Sequence, residues 1–370
     1  MLDKSKVNIP ERFRDHPLFN TLHCGMNLGF MAKRGYYRSK ELLAQPARMA
    51  KAGVNWTTLN ANFCQEHFYS RKLFLDFNYS SGELELAEMA KALHDQGIRI
   101  LFKPCLTSLD SAWMGMVSFP DGQEQIQGVK SAYWDEWFRG FTESAKYFAD
   151  FAERIGIDAL IVGAEYRGTE GRSDNWRKVI AEVRQIYSGP LTYEFTCDSL
   201  HESLDWFKDL DFLSFSTYPP ACASNREGGF WLVKGAGAPV PRENPEYTVD
   251  QMVEYLGPQK KISASICKRF DDKPIAFTEL GGRSMHGCII NPCNFQWETY
   301  YDGEEQANYM EAIFRTFWDL PQWMGLYWWK WDETQNRPQY HTDPKGDMGF
   351  TIQGKPAEKV MREWFAKNAR

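Results

Sequence analysis

Two glutamates carry the most legible chemistry in this sequence. Glu165 closes the run Leu160-Ile-Val-Gly-Ala-Glu-Tyr166, and Glu279 closes Ile275-Ala-Phe-Thr-Glu-Leu-Gly281. A carboxylate that follows a strongly apolar run is costly to bury without a partner or a purpose. One such acid is accounted for by a structural hydrogen bond. Two on the same face of a fold make a pair suited to glycoside hydrolysis with retention. One carboxyl protonates the leaving oxygen and later activates water. The other attacks the anomeric carbon and forms a covalent glycosyl-enzyme, at a separation of about 5–5.5 Å.

The pair works only if the surrounding elements bring the two acids to one face. Eight β-rich runs alternate with helical patterns, the rhythm of βα units around a parallel sheet. The runs are Leu22–Leu28, Gly53–Leu59, Ile98–Pro104, Asp158–Glu165, Leu191–Thr196, Phe212–Tyr218, Pro274–Leu280 and Gly325–Trp331. Helical segments such as LELAEMAKALHDQG and EEQANYMEAIFRTFWDL separate them, and a last helix over Pro356–Ala369 closes the series. The fold class expected is α/β, a (β/α)8 TIM barrel, with residues 1–370 as one catalytic domain. A doubly wound sheet would call for a glycine-rich phosphate loop, and neither G-x-G-x-x-G nor G-x-x-x-x-G-K-[ST] is present; Gly235-Ala-Gly237-Ala-Pro-Val lacks the third glycine. Gly53, Gly97, Gly156 and Gly189 precede strands and are read as left-handed helix caps. In such a barrel both glutamates end their strands, the fourth and the seventh, on the C-terminal face. Long loops after strands three, six and seven lie on that face too and carry Trp113, Trp231, Trp297, Tyr300 and Tyr301. These rings either pack the loops down or line a sugar cleft.

Further residues fall at strand ends. Tyr218 ends strand six, where its hydroxyl can hydrogen-bond the carboxylate of strand seven and keep it ionised and aimed. The alternative is a core Tyr closing the Pro219-Pro220 turn. Lys103, near the end of strand three, is expected to bind a sugar hydroxyl or pair with a carboxylate, because a strand lysine is rarely buried alone. Asn27 and Asn60 end strands one and two, as sugar contacts or as structural hydrogen bonds. Trp113 and His286, in the loops after strands three and seven, are candidate substrate contacts. Strand eight ends in Trp328, Trp329, Lys330 and Trp331, with Trp329 and Trp331 placed on one face by alternation as candidate floors of a sugar subsite. Arg167 is placed to tune Glu165 or to point to solvent. Asp332 and Glu333 are candidate subsite acids without a motif behind them.

The layout resembles the large clan of (β/α)8 glycosidases whose acid/base follows strand four and whose nucleophile follows strand seven. The strand order covers almost the whole chain. The Gly-x-Glu after strand four and the Thr-Glu-x-Gly after strand seven most resemble glycoside hydrolase family 113, a family of endo-β-1,4-mannanases. That resemblance implies Glu165 as acid/base, Glu279 as nucleophile and Tyr218 as its support. It also implies a strand-eight Trp, here Trp329, flooring the subsite of the cleaved sugar. Most of the clan carries Asn just before the acid/base, where it binds the sugar 2-hydroxyl. Here that position is Ala164, a departure that family 113 shares.

The function expected is therefore double displacement on β-1,4-linked mannose-containing oligo- or polysaccharides. The alternatives are a xylanase or glucanase using the same machinery, or a catalytically inactive carbohydrate-binding barrel. No cofactor is implied. With 14 Trp, 17 Tyr and 25 Phe, aromatic residues reach 15 %. That surplus suits sugar stacking as well as a large core. The net charge is -6 with no basic run, which argues against nucleic acid as a partner. No apolar stretch is long enough to span a bilayer. The N-terminal MLDKSKVNIPERFRDHPLFN has no apolar core of a signal peptide, so a cytoplasmic location is expected. The 7 His are isolated, with neither H-x-H nor H-E-x-x-H, and no metal is expected. A Schiff-base lysine at Lys103 or Lys330 leaves the glutamate pair unexplained. The 8 Cys are scattered, and those inside apolar runs are read as buried thiols; Cys288 and Cys293 are the tightest pair and the candidates to bridge or bind metal.

Overall fold

The computed structural model describes residues 2–126, 129–196, 204–222, 247–295, 299–332 and 347–368. Eight strands close into one parallel barrel: β1 (His23–Leu28), β2 (Trp56–Gln65), β3 (Arg99–Ser108), β6 (Ala159–Ala164), β7 (Leu191–Thr196), β8 (Leu213–Ser216), β9 (Ile275–Leu280) and β10 (Trp323–Trp328). Each strand pairs with its neighbours in this order, and β10 closes on β1 in parallel register, His23 opposite Gly325 and Met26 opposite Trp328. The expected TIM barrel is the observed fold.

Most boundaries agree with the sequence reading within two residues. Three do not. β2 and β3 run on to Gln65 and Ser108. β10 begins at Trp323 and stops at Trp328, so the alternation read for Trp329 and Trp331 does not apply there. The segment read as one long loop after strand three contains an antiparallel hairpin, β4 (Gln123–Ile126) with β5 (Val129–Ala132).

Gly53, Gly97 and Gly156 are left-handed, with φ of 88°, 73° and 72°, and the chain leaves each preceding helix there, as expected. Gly189 is not left-handed. A Cβ there would lie 2.4 Å from the Tyr187 hydroxyl, so close packing explains that glycine.

Two compact units divide the chain. One comprises Gly29–Ala47 and Thr58–Phe215. Its longest helix, α4 (Tyr133–Ile155), buries Trp134, Trp137, Phe138, Phe141, Ala145, Phe148, Ala149 and Ala152, the three-and-four spacing of one helical face. Asp135 and Glu136 in the first turn suit the positive end of the helix. Trp176 on α6 (Ser173–Arg184) is fully buried. It stacks on Trp206 at 4.9 Å, meets Phe141 edge-on at 5.2 Å and Tyr193 at 5.0 Å, and its indole N–H donates to Thr169 O at 3.1 Å. This aromatic cluster backs the end of β6, where Glu165 emerges.

The other unit comprises Met1–Leu28, Arg48–Thr57 and Ser216–Arg370. Here α7 (Val249–Arg269) starts in a capping box, with Gln251 N–H donating to Thr248 Oγ1 at 3.3 Å. α8 (Gly303–Phe317) is capped by Asp302, whose Oδ1 accepts from Glu305 N–H at 2.9 Å. α9 (Pro356–Asn368) lays Trp364 flat on Phe314 of α8, with ring centroids 5.3 Å apart. A buried ion pair holds the loop after β9. Lys355 Nζ lies 2.9 Å from Asp347 Oδ2 and also donates to Ser284 Oγ at 2.9 Å and Thr351 O at 2.7 Å. With every partner supplied, the desolvation cost of that pair is offset. Among the described residues no helix is long and apolar enough to cross a membrane.

The aromatic cluster yields a stability prediction. Trp176→Ala removes a fully buried indole with a satisfied N–H, and such truncations cost about 3–5 kcal/mol. The urea midpoint is expected to fall accordingly. An unchanged midpoint would show that the cluster does not support the fold.

Candidate active site

Glu165 is the first residue past β6, and its backbone is left-handed, with φ 58°. Glycine is comfortable there; a glutamate is held at a cost of order 1–3 kcal/mol. The surroundings that hold it are explicit. Glu165 N–H donates to Glu194 O at 2.8 Å, continuing the β6–β7 ladder. The next residue, Tyr166, is fully buried. Its N–H donates to Tyr193 Oη at 2.8 Å, and its own Oη accepts from Leu106 N–H at 3.0 Å. Tyr193 in turn donates to Glu170 Oε1 at 2.8 Å. Burial above all raises both phenols well beyond their ordinary range, so both stay protonated and keep these bonds. The half-buried Glu165 side chain accepts from Trp113 Nε1–H, 3.0 Å from Oε2. Trp113 is the exposed ring of the loop after β3. The sequence offered it only as a sugar contact and missed its bond to the carboxylate.

Beneath the same strand ends lies a pair that the sequence half-resolved. Lys103 Nζ sits 2.5 Å from Glu194 Oε1, with both side chains buried. Of the two expectations for Lys103, the carboxylate partner is the one seen. Removing either member would take from a buried charge its ion-pair partner, which typically costs about 3–5 kcal/mol.

Glu279 stands near the end of β9, half-buried. Its carbonyl accepts from Thr217 N–H at 2.8 Å, and Tyr218 Oη donates to its Oε1 at 2.8 Å. The contact expected between strands six and seven is thus present. Two residues on, Gly281 is required by close approach, since a Cβ there would lie 2.2 Å from Trp329 O. Trp329 N–H also donates to Leu280 O at 2.7 Å, so the chain after β10 is laid against the end of β9. The Trp329–Lys330 peptide is cis.

Other expected substrate residues are placed differently. Asn27 is fully buried, and its Nδ2 donates to Thr278 O at 3.0 Å and Tyr327 O at 3.1 Å. It ties β1 to β9 and β10, the structural one of its two readings. Asn60 does not end β2, which runs five residues further. It is fully buried, and its carboxamide oxygen faces Cys105 Sγ at 3.5 Å. Trp331 is 1 % exposed and cannot floor a subsite, whereas Trp329 keeps 7 %. His286 is buried rather than presented to a cleft. It stacks on the exposed Tyr300 at 4.8 Å, with Nδ1 3.1 Å from Glu305 Oε2. Trp231, Trp297 and Glu333 lie outside the described residues.

His286, Asp302 and Glu305 are the one group among the described residues whose ligand atoms, all within 4.8 Å of one another, suit a metal. Their bonds already have other uses. Asp302 caps α8, and Glu305 accepts Gly287 N–H at 3.0 Å and Ile289 N–H at 3.1 Å. Burial chiefly raises the Glu305 carboxyl above its ordinary range, and the two backbone donors and His286 oppose that rise. The set clasps the loop after β9 onto α8. Cys288 and Cys293 are free thiols, and Cys288 is buried.

With this geometry in place, similarity to known proteins is informative. The sequence model of Glycoside Hydrolase Family 113 matches residues 26–355. Among solved structures, a family 113 β-mannanase from Alicyclobacillus acidocaldarius superposes with a TM-score of 0.76 at 24 % identity, covering 94 % of this chain and 98 % of that one. A second family 113 β-1,4-mannanase gives 0.74 at 22 %, covering 94 % and 99 %. A β-glucuronidase from Ruminococcus gnavus gives 0.53 at 13 %, covering 93 % of this chain and 50 % of that one. Nothing matches among curated protein sequences. At these identities the superpositions speak for the fold.

The Tyr218–Glu279 contact yields a kinetic prediction. A hydrogen bond to a charged group is worth about 1.5–3 kcal/mol. Tyr218→Phe is therefore expected to lower kcat/KM for glycoside cleavage by roughly 10- to 100-fold with its melting temperature nearly unchanged. Wild-type kinetics in this variant would remove Tyr218 from the machinery.

Proposed function

The chain belongs to glycoside hydrolase family 113, and from that premise we propose that it cleaves β-1,4-linked mannose-containing oligo- or polysaccharides with retention of configuration. The observation that carries the reading is the placement of the two acids. Glu165 follows the fourth strand and Glu279 is the last residue but one of the seventh in a closed parallel barrel, and Glu279 receives a hydroxyl donor from Tyr218. The two solved family 113 structures are both β-mannanases, which supports the choice of sugar.

In the proposed reaction Glu165 begins protonated, and the Trp113 indole fixes the orientation of its carboxyl. Its proton passes to the glycosidic oxygen as the bond from that oxygen to C1 breaks, and the bonding pair stays on the leaving sugar. A Glu279 oxygen forms the new bond to C1. Tyr218 stabilises the carboxylate before attack and again when it departs. Glu165, now ionised, takes a proton from water. The resulting hydroxide attacks C1 and displaces Glu279, so two inversions give net retention. Trp329, laid against the end of β9, is assigned to the subsite of the cleaved sugar.

The test is a panel of β-1,4-linked manno-, xylo- and gluco-oligosaccharides, with Glu279→Gln and Glu165→Gln beside the wild type and the product anomer read by proton NMR. Cleavage of the manno-series to the β-anomer, reduced by about three orders of magnitude or more in Glu279→Gln, is expected. Preference for another series would move the enzyme to another glycan. An inverted product would remove the covalent step. Sugar binding without turnover would make the chain a binding protein.

A further inference from the structure

The indole that meets Glu165 belongs to a loop, and the packing that holds this loop runs back to the acid/base itself. Trp113 opens a 3-10 turn, Met114–Met116, in the segment after β3. Its carbonyl accepts from Met116 N–H at 2.9 Å, and Val117, which ends the turn, is fully buried. The Trp113 ring packs against Gly115, where a Cβ would sit 2.4 Å from the indole. The turn rests on α5 (Arg167–Glu170), the short helix that begins two residues after Glu165. At Gly168 a Cβ would lie 2.0 Å from Val117 O and 3.3 Å from Gly115 O, so backbone packs directly on backbone there. Trp113, Val117, Glu165 and Gly168 all belong to one compact unit.

The helix is a fixed platform for the turn. Thr169 donates to Tyr166 O through its N–H at 2.8 Å and its Oγ1 at 2.7 Å. Thr169 O accepts from Trp176 Nε1–H at 3.1 Å, and Glu170 O from Trp206 Nε1–H at 2.9 Å. Both indoles are fully buried. α5 is thus tied to the core on one side and receives the turn at Gly168 on another. Further along, Arg172 Nη2 lies 2.5 Å from Asp121 Oδ1, but Asp121 is 80 % exposed, and such surface pairs contribute little. The weight falls on the packing at Gly168. The ring adds a direction. An indole N–H only donates, so Glu165 Oε2 serves as its acceptor. In the protonated acid the transferable proton is then directed to the other oxygen.

We propose that Gly168 is a positioning residue for proton transfer: by seating Val117 it sets Trp113, and Trp113 orients the carboxyl of the acid/base. The inference rests on Glu165 being the proton donor of the reaction proposed above. It gives Gly168 and Trp113 a role only in the steps where Glu165 moves a proton.

The experiment reads kcat/KM on two aryl β-mannobiosides, one releasing phenol and the other 2,4-dinitrophenol. Phenolate leaves poorly and needs the proton, whereas dinitrophenolate departs without it. Trp113→Phe keeps the ring and loses the N–H. Gly168→Ala adds the methyl that must displace Val117 O. Each variant is expected to lose about tenfold or more on the phenyl substrate, the scale of a hydrogen bond to a charged group, and no more than about threefold on the dinitrophenyl substrate. Loss of folded enzyme or of a sugar contact lowers both alike, so a split absent from either variant overturns the proposal. Should Gly168→Ala fail to fold, Gly115→Ala pushes the ring from the loop side. The same split is expected there, and its absence is equally fatal. A second readout needs no turnover. With tryptophan labelled by nitrogen-15, the Trp113 indole resonance is the one missing from Trp113→Phe. It is expected to move in Glu165→Gln and in Gly168→Ala while the buried indoles stay in place, which shows the fold retained. A Trp113 resonance that stays put in Gly168→Ala contradicts the positioning role. If the wild type cleaves neither mannobioside, the sugar assignment fails, and the resonance alone decides whether Gly168 positions Trp113 against Glu165.

Discussion

The rest of this structure depends on one constraint, that every strand of the barrel is parallel to its neighbours. Parallel strands need a return path, and the helices supply it, so all eight carboxyl ends fall on one rim. An acid placed one residue past a strand then joins every other acid so placed, however far apart they are in the chain. Glu165 and Glu279 lie 114 residues apart in the chain, since 279 minus 165 is 114. The closed ring of parallel strands turns the carboxyl ends of their two strands to the same rim. Its register is set locally. β1 meets β10 with His23 opposite Gly325, and Gly325 has φ 127° with no room for a Cβ, which would lie 2.2 Å from His23 O.

The two acids are held by different means, and the means suit the roles assigned to them. Glu165 sits on a left-handed residue between buried, hydrogen-bonded neighbours, and its carboxyl meets an indole N–H from a surface loop. Glu279 remains within the regular strand and meets a phenol hydroxyl. That bond aims the carboxylate, as the role of nucleophile requires. The Lys103–Glu194 pair lies under this arrangement, beside the carbonyl that receives Glu165 N–H.

The barrel was readable in the sequence because its strands are apolar runs punctuated by helices, and periodicity reports that directly. The two acids were readable because a charge at the end of such a run stands out. Other features were hidden for physical reasons. The far half of β2 is interrupted by two amides, of which Asn62 donates to Ala32 O at 3.1 Å and Gln65 to Ser108 Oγ at 2.6 Å. Hydropathy takes buried, hydrogen-bonded amides for a loop. β10 is apolar on both faces, so no alternation fixed its end, and Trp331 was assigned a subsite when it is packed inside. Lys103 announced that it needed a partner, but Glu194 on β7 is a non-local contact that no spacing rule encodes. Trp113 was picked as a sugar ring from its loop, and its bond to Glu165 depends on how that loop folds back.

The central claim is that Glu279 becomes covalently bonded to the sugar. A 2-deoxy-2-fluoro-β-mannoside with a good leaving group slows the second displacement more than the first and lets the intermediate accumulate. Digestion and mass spectrometry then locate the added sugar. This account predicts stoichiometric labelling of the peptide that contains Glu279, with time-dependent loss of activity. Labelling of Glu165 or of any other residue, or turnover with no labelled species, would contradict it.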